Sequence, residues 1–217
     1  MNIPDLSKKY ANLSIEKRIE ELFKDYASED IVFTSSFGTT AGILLYLVSK
    51  INPQQAIYFL DTTYHFKETI DYKNELKDLL NLNIVEVLPE AWKNEFTKND
   101  QTWTKDPDLC CSINKVEPMD KLKVGKKIWI SGLLAYQNEH RKNLDIFEEK
   151  KDINKFYPII DMTAQEVKDF YQNNKIPLHP LQNQGYSSVG CAQCTAKGEG
   201  RNGRWNNLNK TECGLHL

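Results

Sequence analysis

Apolar and polar positions change period along the chain, which predicts helices and strands in turn. Apolar residues recur at helical spacing in three segments, at residues 14–27, 41–49 and 66–80. Short apolar runs typical of buried strands lie at residues 31–36, 56–60, 83–88 and 127–131. This alternation predicts an α/β fold, a single domain in which a mostly parallel sheet carries helices on both faces.

The pattern is weaker in the second half of the chain. Residues 90–108 are polar and mixed, and the helix expected after them is interrupted or ended by Pro118. The charged stretch 145–158 is expected to be an excursion over the surface. Thr163 and Glu166 have the spacing of a capping box, so a further helix is expected to begin there.

The C-terminal segment 191–217 has neither strand alternation nor a helical stripe, so it is expected to be loop-rich. It contains three of the five cysteines of the chain. Burial of apolar surface cannot hold so polar a segment, and Cys191 and Cys194 therefore suggest a metal anchor. Cys213 is left on a mobile tail, where we expect it to do chemistry.

The composition excludes several classes of protein. The chain has 217 residues, 40% of them hydrophobic, and a net charge of -2, so no global field attracts nucleic acid or an anionic membrane. No apolar run approaches the roughly 20 residues of a membrane span, and the N-terminus lacks the apolar core of a signal peptide. We therefore expect a cytoplasmic protein with neither a nucleic-acid nor a membrane partner, in which reduced thiols serve metal binding or catalysis.

Two pairs of cysteines predict a four-thiolate metal site. Cys110 and Cys111 are adjacent, and Cys191 and Cys194 are separated by two residues. Such a set suits Zn²⁺ or a [4Fe–4S] cluster. Adjacent thiolates make a strained bite on one small ion, whereas a cubane offers separate iron corners, so the spacing favours the cluster.

A small hydroxyl-rich loop follows the first predicted strand. It exposes backbone N–H groups ahead of a helix, which suits an anion such as phosphate, and it consists of Ser35, Ser36, Phe37, Gly38 and Thr39. It is not a Walker A loop, because the Gly-Lys-Ser/Thr ending is absent. Its place after a strand of an α/β sheet strengthens the prediction of an anion site.

Several motifs together resemble the family of adenylyl-sulfate (APS) and phosphoadenylyl-sulfate (PAPS) reductases. They are Ser35-Ser-Phe-Gly38, Leu60-Asp-Thr62, Tyr64-His-Phe66, Cys110-Cys111 with Lys115 and Pro118, Cys191-x-x-Cys194, Arg201-x-x-Arg204-Trp205 and Lys210-Thr-Glu-Cys-Gly-Leu-His216. The similarity runs from about residue 35 to the end of the chain. It implies the adenine nucleotide alpha hydrolase-like (PP-loop) fold. Both pairs of cysteines are typical of the APS branch, in which they hold a [4Fe–4S] cluster.

The resemblance also implies a reaction and its residues. In this family a tail thiolate, here Cys213, attacks the sulfate sulfur of APS, AMP leaves, and thioredoxin or glutaredoxin releases sulfite from the S-sulfocysteine. The pathway is sulfate assimilation and cysteine biosynthesis. Lys115 and His216 are the other expected catalytic residues. Substrate binding is expected at the hydroxyl-rich loop and at Asp61, Thr62, His65, Arg141, Arg201 and Arg204. Cations near the tail thiol would lower its pKa, and Lys210 and His216 flank it in the sequence.

The same resemblance divides the chain into an N-terminal helical segment (1–30), a nucleotide-binding reductase domain (31–190) and a cluster-binding, catalytic tail (191–217). One departure from the family pattern concerns substrate contact. Leu134 stands where the family usually has an arginine, and Arg141 or Lys142 is expected to compensate.

Alternatives remain open at this point. They are a PAPS reductase or an enzyme of dual specificity, a zinc-stapled structural or nucleic-acid-binding module, and an adenylating tRNA-thiolation protein. The last usually shows a Ser-Gly-Gly-x-Asp loop, and the loop here lacks the aspartate. The sequence also leaves the oligomeric state open, with a homo-oligomer as one alternative.

Overall fold

The computed structural model of the chain describes residues 3–205, 210 and 212–216. Thr211, within the motif at 210–216, lies outside the described residues, as do the ends of the predicted N-terminal segment and tail and residues 206–209. The strands are β1 Ile31–Thr34, β2 Ile57–Leu60, β3 Ile84–Val87, β4 Ile128–Ile130, β5 Phe147–Glu149 and β6 Asn154–Phe156. The helices are α1 Ile3–Ala11, α2 Ile15–Asp25, α3 Gly42–Ile51, α4 Lys67–Leu80, α5 Ala91–Asn99, α6 Thr102–Lys105, α7 Pro107–Cys111, α8 Glu117–Lys123, α9 Glu139–Lys142 and α10 Ala164–Asn173.

Within the described residues the six strands form one sheet in the order β3-β2-β1-β4-β6-β5. All neighbouring pairs are parallel except β5 with β6. The chain builds β2 and β3 on one side of β1 and then crosses to place β4 on the other side. The strand order therefore reverses beside β1, and loops at the carboxyl ends of β1 and β4 diverge to leave a crevice.

Both faces of the sheet are buried, because successive side chains of a strand point to opposite faces. Ile31 and Phe33 belong to a large core cluster to which α2, α3, α4 and α10 contribute. Val32 points the other way, into a smaller cluster that contains Trp129 and Met119 of α8. The predicted single α/β domain with helices on both faces is confirmed.

The side chains that cap the starts of two helices were also predicted or recognised in the structure. Ser14 caps α2 by accepting a hydrogen bond from the Lys17 N–H at 3.3 Å. Thr163 and Glu166 form the predicted capping box at the start of α10. No helix in the described part of the chain is both long and apolar enough to cross a bilayer.

The expectation for residues 145–158 was wrong. This stretch forms the β5–β6 hairpin at one edge of the sheet. Phe147 and Phe156 are buried and stack with ring centroids 4.6 Å apart, and Tyr10 of α1 packs edge-on against both rings. Strands of three residues are too short for their alternation to stand out from the neighbouring charges.

The region after β3 is also more regular than expected, because residues 90–108 contain α5 and α6. Trp92 on α5 is 69% exposed. Pro118 does not end the helix around it. A π-helical turn, Ser112–Val116, links α7 to α8, and Pro118 occupies the first turn of α8 directly after this irregularity.

The capping box gives a direct test of the start of α10. Thr163→Ala should lower the free energy of unfolding by about 1 kcal/mol, because the Glu166 N–H loses its acceptor. Urea denaturation followed by circular dichroism measures the change. Thr163→Ser keeps the hydroxyl and is the matched control. Equal stabilities of the Ala and Ser variants would contradict the assignment.

Candidate active site

A cavity of about 190 Å³ opens at the carboxyl ends of β1, β2 and β4. Thr34, Leu60 and Ser131, at or just beyond these ends, line it. This is the crevice where the strand order reverses, the usual ligand position in an open α/β sheet. The sheet therefore directs the loops that carry the predicted site residues toward one point.

The hydroxyl-rich loop forms one wall of this cavity. Ser35, Ser36, Gly38 and Thr39 line it, whereas Phe37 does not. The Phe37 backbone has a left-handed φ of 50°, and its ring is buried against Phe59, with ring centroids 5.6 Å apart. Its N–H donates to Ser35 Oγ at 3.1 Å. Phe37 therefore anchors the loop in the core and leaves the small residues facing the cavity.

Of the predicted site residues after β2, His65 lines the cavity, whereas Asp61 and Thr62 lie outside it. His65 lines the cavity, and its Nε2 donates to the Leu60 carbonyl at 3.2 Å. Burial and the charge of Lys115 lower the pKa of His65 to about 4, so the ring is neutral at pH 7. Asp61 and Thr62 are not among the lining residues. Asp61 instead accepts from the Thr63 N–H at 2.8 Å, where it shapes the turn.

Four cationic side chains reach the cavity, namely Lys115, Arg141, Arg201 and Arg204. Lys115 lies on the π-helical turn between α7 and α8. Burial disfavours its charged form, but the sulfurs of Cys191, Cys213 and Cys111 outweigh that effect and raise the pKa of Lys115 above its usual value. Lys115 is thus a half-buried ammonium group close to neighbouring sulfur atoms.

Arg204 packs its guanidinium against the backbone of Gly190. A Cβ at this glycine would lie 2.2 Å from Nη2 of Arg204, so only glycine permits the approach. The guanidinium also lies over the Trp205 ring, 4.5 Å from its centroid. Among the described residues, Arg204 has no carboxylate partner and its buried Nε has no hydrogen-bond acceptor. This donor can bind an anion in the cavity.

Cys213 is half-buried at the edge of the same cavity. A hydrogen bond with Cys111 and the charges of Lys115 and Arg204 lower the pKa of Cys213 well below its usual value. Burial opposes this shift but is outweighed. The tail thiol, the cations and the hydroxyl-rich loop therefore meet in one place.

The two cations that flank Cys213 in the sequence have other positions. Lys210 pairs with Asp108. His216 lines the cavity and stacks on Trp129, with ring centroids 5.5 Å apart, and burial lowers its pKa well below the usual value, so the ring is neutral. The expectation that His216 contributes positive charge was wrong, although its place beside the cavity agrees with the predicted site.

The tail lies docked in the crevice through several contacts that the sequence analysis did not find. Lys155 of β6 donates to the Leu215 carbonyl at 3.1 Å, and His140 Nε2 donates to the His216 carbonyl at 3.1 Å. Glu212 is 1% exposed and accepts from both Arg141 and Arg201. Glu212 and Arg201 both belong to motifs that the sequence analysis found, but Arg141 lies 71 residues from Glu212, and no local signal marks their pairing.

Arg141 enters the cavity, whereas Leu134 is fully buried in the main core cluster. Arg141 is held by Gln137, which accepts from Nη1, and by the tail carboxylate. The expectation that Arg141 reaches the site in place of an arginine at position 134 agrees with this geometry. Lys142 pairs with Glu139 at the surface and does not line the cavity.

The four predicted metal-binding cysteines line a second, smaller cavity beside the first. Cys110, Cys111 and Cys191 are each less than 9% exposed, and Tyr64 and Trp103 pack around the group. Hydrogen-bond donors already lie against two of the sulfurs. Thr62 Oγ1 lies 3.4 Å from Cys191 Sγ, and Asn114 Nδ2 lies 3.7 Å from Cys110 Sγ.

Four thiols around one cavity are a donor set that suits a thiolate-bound metal centre. Across the described residues, no group of three or more His, Cys, Asp or Glu side chains is arranged to hold a metal ion. Burial and the neighbouring Cys191 and Cys194 raise the pKa of Cys110 to about 11. A cationic group in the cavity would favour the thiolate form of this thiol.

Backbone pairing also anchors the start of the tail. The Ala192 N–H donates to the Tyr64 carbonyl at 2.7 Å, and the Trp205 N–H donates to the Cys194 carbonyl at 2.9 Å. The backbone of Cys191 pairs with that of His65 in an isolated antiparallel β-bridge, and the backbones of Thr195 and Arg204 pair in the same way. The segment that carries the cysteines is thus tied both to the loop after β2 and to the arginine motif.

The fold and the crevice together define an α/β protein of the PP-loop class. The solved structure of phosphoadenylyl-sulfate (PAPS) reductase from Candida auris, a phosphate complex, superposes with a TM-score of 0.78 and 25% identity over 89% of this chain and 96% of that chain. Yeast FAD synthetase superposes with a TM-score of 0.60 at 12% identity, over 90% of this chain and 74% of that one. This second similarity concerns the fold alone.

Sequence comparison narrows the class to one family. The profile of the phosphoadenosine phosphosulfate reductase domain matches residues 30–197. Adenosine 5'-phosphosulfate reductase of Bacillus mycoides (strain KBAB4) is 37% identical over 204 residues, which is 90% of this chain and 87% of that protein. The Bacillus cereus (strain 03BB102) reductase of the same name is 37% identical over 203 residues, or 89% and 86%. The chain belongs to the phosphoadenosine phosphosulfate reductase domain family, and the prediction of an enzyme of this family is confirmed.

The buried Lys155, which contacts the tail, should make the free energy of unfolding depend on pH. Burial lowers the pKa of Lys155 from 10.5 to about 8. Between these values the unfolded chain binds a proton that the folded chain does not, so the free energy of unfolding should rise with pH, by roughly 3 kcal/mol at most. Urea denaturation of wild type and Lys155→Met at intervals from pH 7 to 10 measures this rise. Parallel curves for the two proteins would contradict the prediction.

Proposed function

We propose that this enzyme reduces adenylyl sulfate (APS) to sulfite and AMP through an S-sulfocysteine on Cys213. The observation that carries the proposal is the position of the Cys213 thiol at a cavity that also holds the hydroxyl-rich loop, Lys115 and Arg204. A nucleophile, an anion-binding loop and cations without carboxylate partners in the described residues are what transfer of a sulfonyl group from a nucleotide requires.

The first half-reaction is a displacement at sulfur. The Cys213 thiolate attacks the sulfur of the sulfate group, an S–S bond forms, and the bond from sulfur to the bridging oxygen breaks. AMP leaves with that electron pair. Lys115 and Arg204 stabilise the negative charge on the transferring group and on the leaving phosphate. Backbone N–H groups of the loop at residues 35–39 bind the phosphate of the nucleotide.

The second half-reaction needs an external dithiol, for which a protein of the thioredoxin or glutaredoxin type is proposed. One thiolate attacks Cys213 Sγ, sulfite leaves, and the second thiolate resolves the mixed disulfide to restore the Cys213 thiol. The dithiol supplies both electrons. Cys213 is itself part of the tail and is half-buried while the tail is docked. The tail must therefore leave the crevice before a protein dithiol can reach the Cys213 sulfur. The reaction is placed in the cytoplasm, where dithiols are kept reduced, and in sulfate assimilation.

A [4Fe–4S] cluster held by Cys110, Cys111, Cys191 and Cys194 is part of the proposal. When bound, it would fix the cysteine segments and, together with its four thiolates, place net negative charge beside the ammonium group of Lys115. Lys115 sits four residues after Cys111 and beside Cys191, so this lysine couples the cysteine cavity to the substrate cavity. Asn114 and Thr62 hold their donors against the sulfurs, as partners that orient ligands do.

APS is favoured over PAPS because the curated relatives described above are named adenosine 5'-phosphosulfate reductases and because both cysteine pairs are present. The Candida auris structure is that of a PAPS reductase, so PAPS is the alternative substrate. A homo-oligomer stays a prediction.

Anaerobic sulfite release tests the proposed reaction. With thioredoxin, thioredoxin reductase and NADPH, the wild type should release sulfite from APS with a kcat/KM about tenfold or more above that for PAPS. Cys213→Ser should release none while binding AMP as the wild type does, because only the nucleophile is changed. Without reductant, mass spectrometry of the wild type should find one sulfonate on Cys213. An adduct on the serine variant, or a preference for PAPS, would overturn the corresponding part of the proposal.

Metal analysis tests the cluster. Protein purified anaerobically should contain about four iron and four sulfide per chain, with a brown absorption near 400 nm. Cys194→Ser should lose most of both because one ligand is gone, whereas Cys213→Ser is the matched control and should retain them. Zinc without iron in the wild type would overturn the cluster and favour a structural zinc site.

A further inference from the structure

We infer that Glu212 is a positioning residue, an anionic latch whose carboxylate holds Cys213 in the crevice by binding Arg141 and Arg201. The inference rests on the proposed function, because it assigns Glu212 a part in delivering that nucleophile. It starts from one observation. Glu212 is 1% exposed, although it precedes a half-buried cysteine near the end of a loop-rich tail.

The carboxylate of Glu212 is fully engaged by donors. Oε1 accepts from Arg141 Nε at 2.6 Å and from Asn138 Nδ2 at 2.7 Å. Oε2 accepts from Arg141 Nη2 at 3.0 Å and from Arg201 Nη2 at 3.2 Å. A buried carboxylate with two guanidinium partners and an amide donor is a specific dock, unlike a surface ion pair.

This dock acts directly on the nucleophile. The N–H of Cys213 donates to Glu212 Oε2 at 3.3 Å, so the same oxygen that binds two arginines also orients the backbone of the cysteine. The position of Cys213 therefore depends on the ion pairs that Glu212 forms with the two arginines. When Glu212 is bound, Cys213 lies beside Lys115 at the edge of the cavity.

The latch also decides which cations meet the substrate. Docked Glu212 supplies a carboxylate to both Arg141 and Arg201. Within the described residues, Lys115 and Arg204 line the cavity without a carboxylate partner. Loss of the carboxylate would expose the anionic ligand to two further cations. Removing the latch should therefore slow attack by Cys213 without weakening nucleotide binding.

The test separates the latch from the chemistry. In the anaerobic holoenzyme without reductant, Glu212→Gln should slow formation of the Cys213 adduct with APS on the order of tenfold, while the Kd for AMP is unchanged or lower. Trypsin cleavage after Lys210, followed by mass spectrometry, should be faster on the order of fivefold, because an undocked tail is a better substrate. Glu139→Gln, 85% exposed on α9, is the matched control and should match the wild type in all three measurements.

A second variant, Asn138→Asp, tests the latch independently in case Glu212→Gln does not fold. Asn138 caps α9 by accepting from the Arg141 N–H at 2.8 Å while its amide donates to Glu212. Asn138→Asp keeps the cap but sets a second carboxylate against Glu212, so adduct formation should slow and cleavage should quicken, as for Glu212→Gln. Wild-type cleavage and adduct rates in both variants would overturn the latch. If even the wild type forms no adduct, the proposed function fails, and the cleavage rates alone still support or overturn the latch.

Discussion

The concentration of positive charge at one crevice is the constraint on which the rest of the site depends. Lys115, Arg141, Arg201 and Arg204 all reach a cavity of about 190 Å³, and burying like charges together is costly without counter-charge. Glu212 compensates two arginines, and three cysteine sulfurs lie close enough to raise the pKa of the lysine. An anionic ligand in the cavity would compensate the remaining charge. The positive charge thereby favours Glu212, the cysteine sulfurs and an anionic ligand at the same crevice.

This constraint explains why the nucleophile is carried on a loop-rich tail. Regular structure would fix the thiol in one position, but the proposed cycle needs it first in the crevice and then exposed to a protein dithiol. A tail held by polar contacts, such as that of Lys155 with the Leu215 carbonyl, can do both, because such contacts can be exchanged for contacts with water. The buried pairing of Glu212 with Arg141 and Arg201 is stronger, and its release calls for another anion in its place. The His216 ring adds stacking on Trp129. The apolar contribution is small, with Leu215 partly buried against the second core cluster.

The sequence predicted those parts of the structure that local signals determine. Buried strands show as apolar runs, and Ser14 and Thr163 mark helix starts through their own side chains. The hydroxyl-rich loop and the cysteine pairs could be found because they are contiguous motifs. The β5–β6 hairpin could not, because its three-residue strands are fixed by packing against α1 and not by their own pattern. Nor could the contacts of Glu212 with Arg141 and Asn138, which lie 71 and 74 residues away in the sequence.

The π-helical turn at Ser112–Val116 shows how one local irregularity couples the two cavities. An α-helix advances side chains by a fixed angle per residue, and the wider turn changes that phase between Cys111 and Pro118. Cys110 and Cys111 lie on the side of the cysteine cavity, whereas Lys115 lines both cavities. Because one side chain borders both, a change of charge among the cysteines alters the electrostatic potential at Cys213 through Lys115. The side chain of Lys115 is therefore the contact through which the cysteine cavity borders the cavity that holds Cys213.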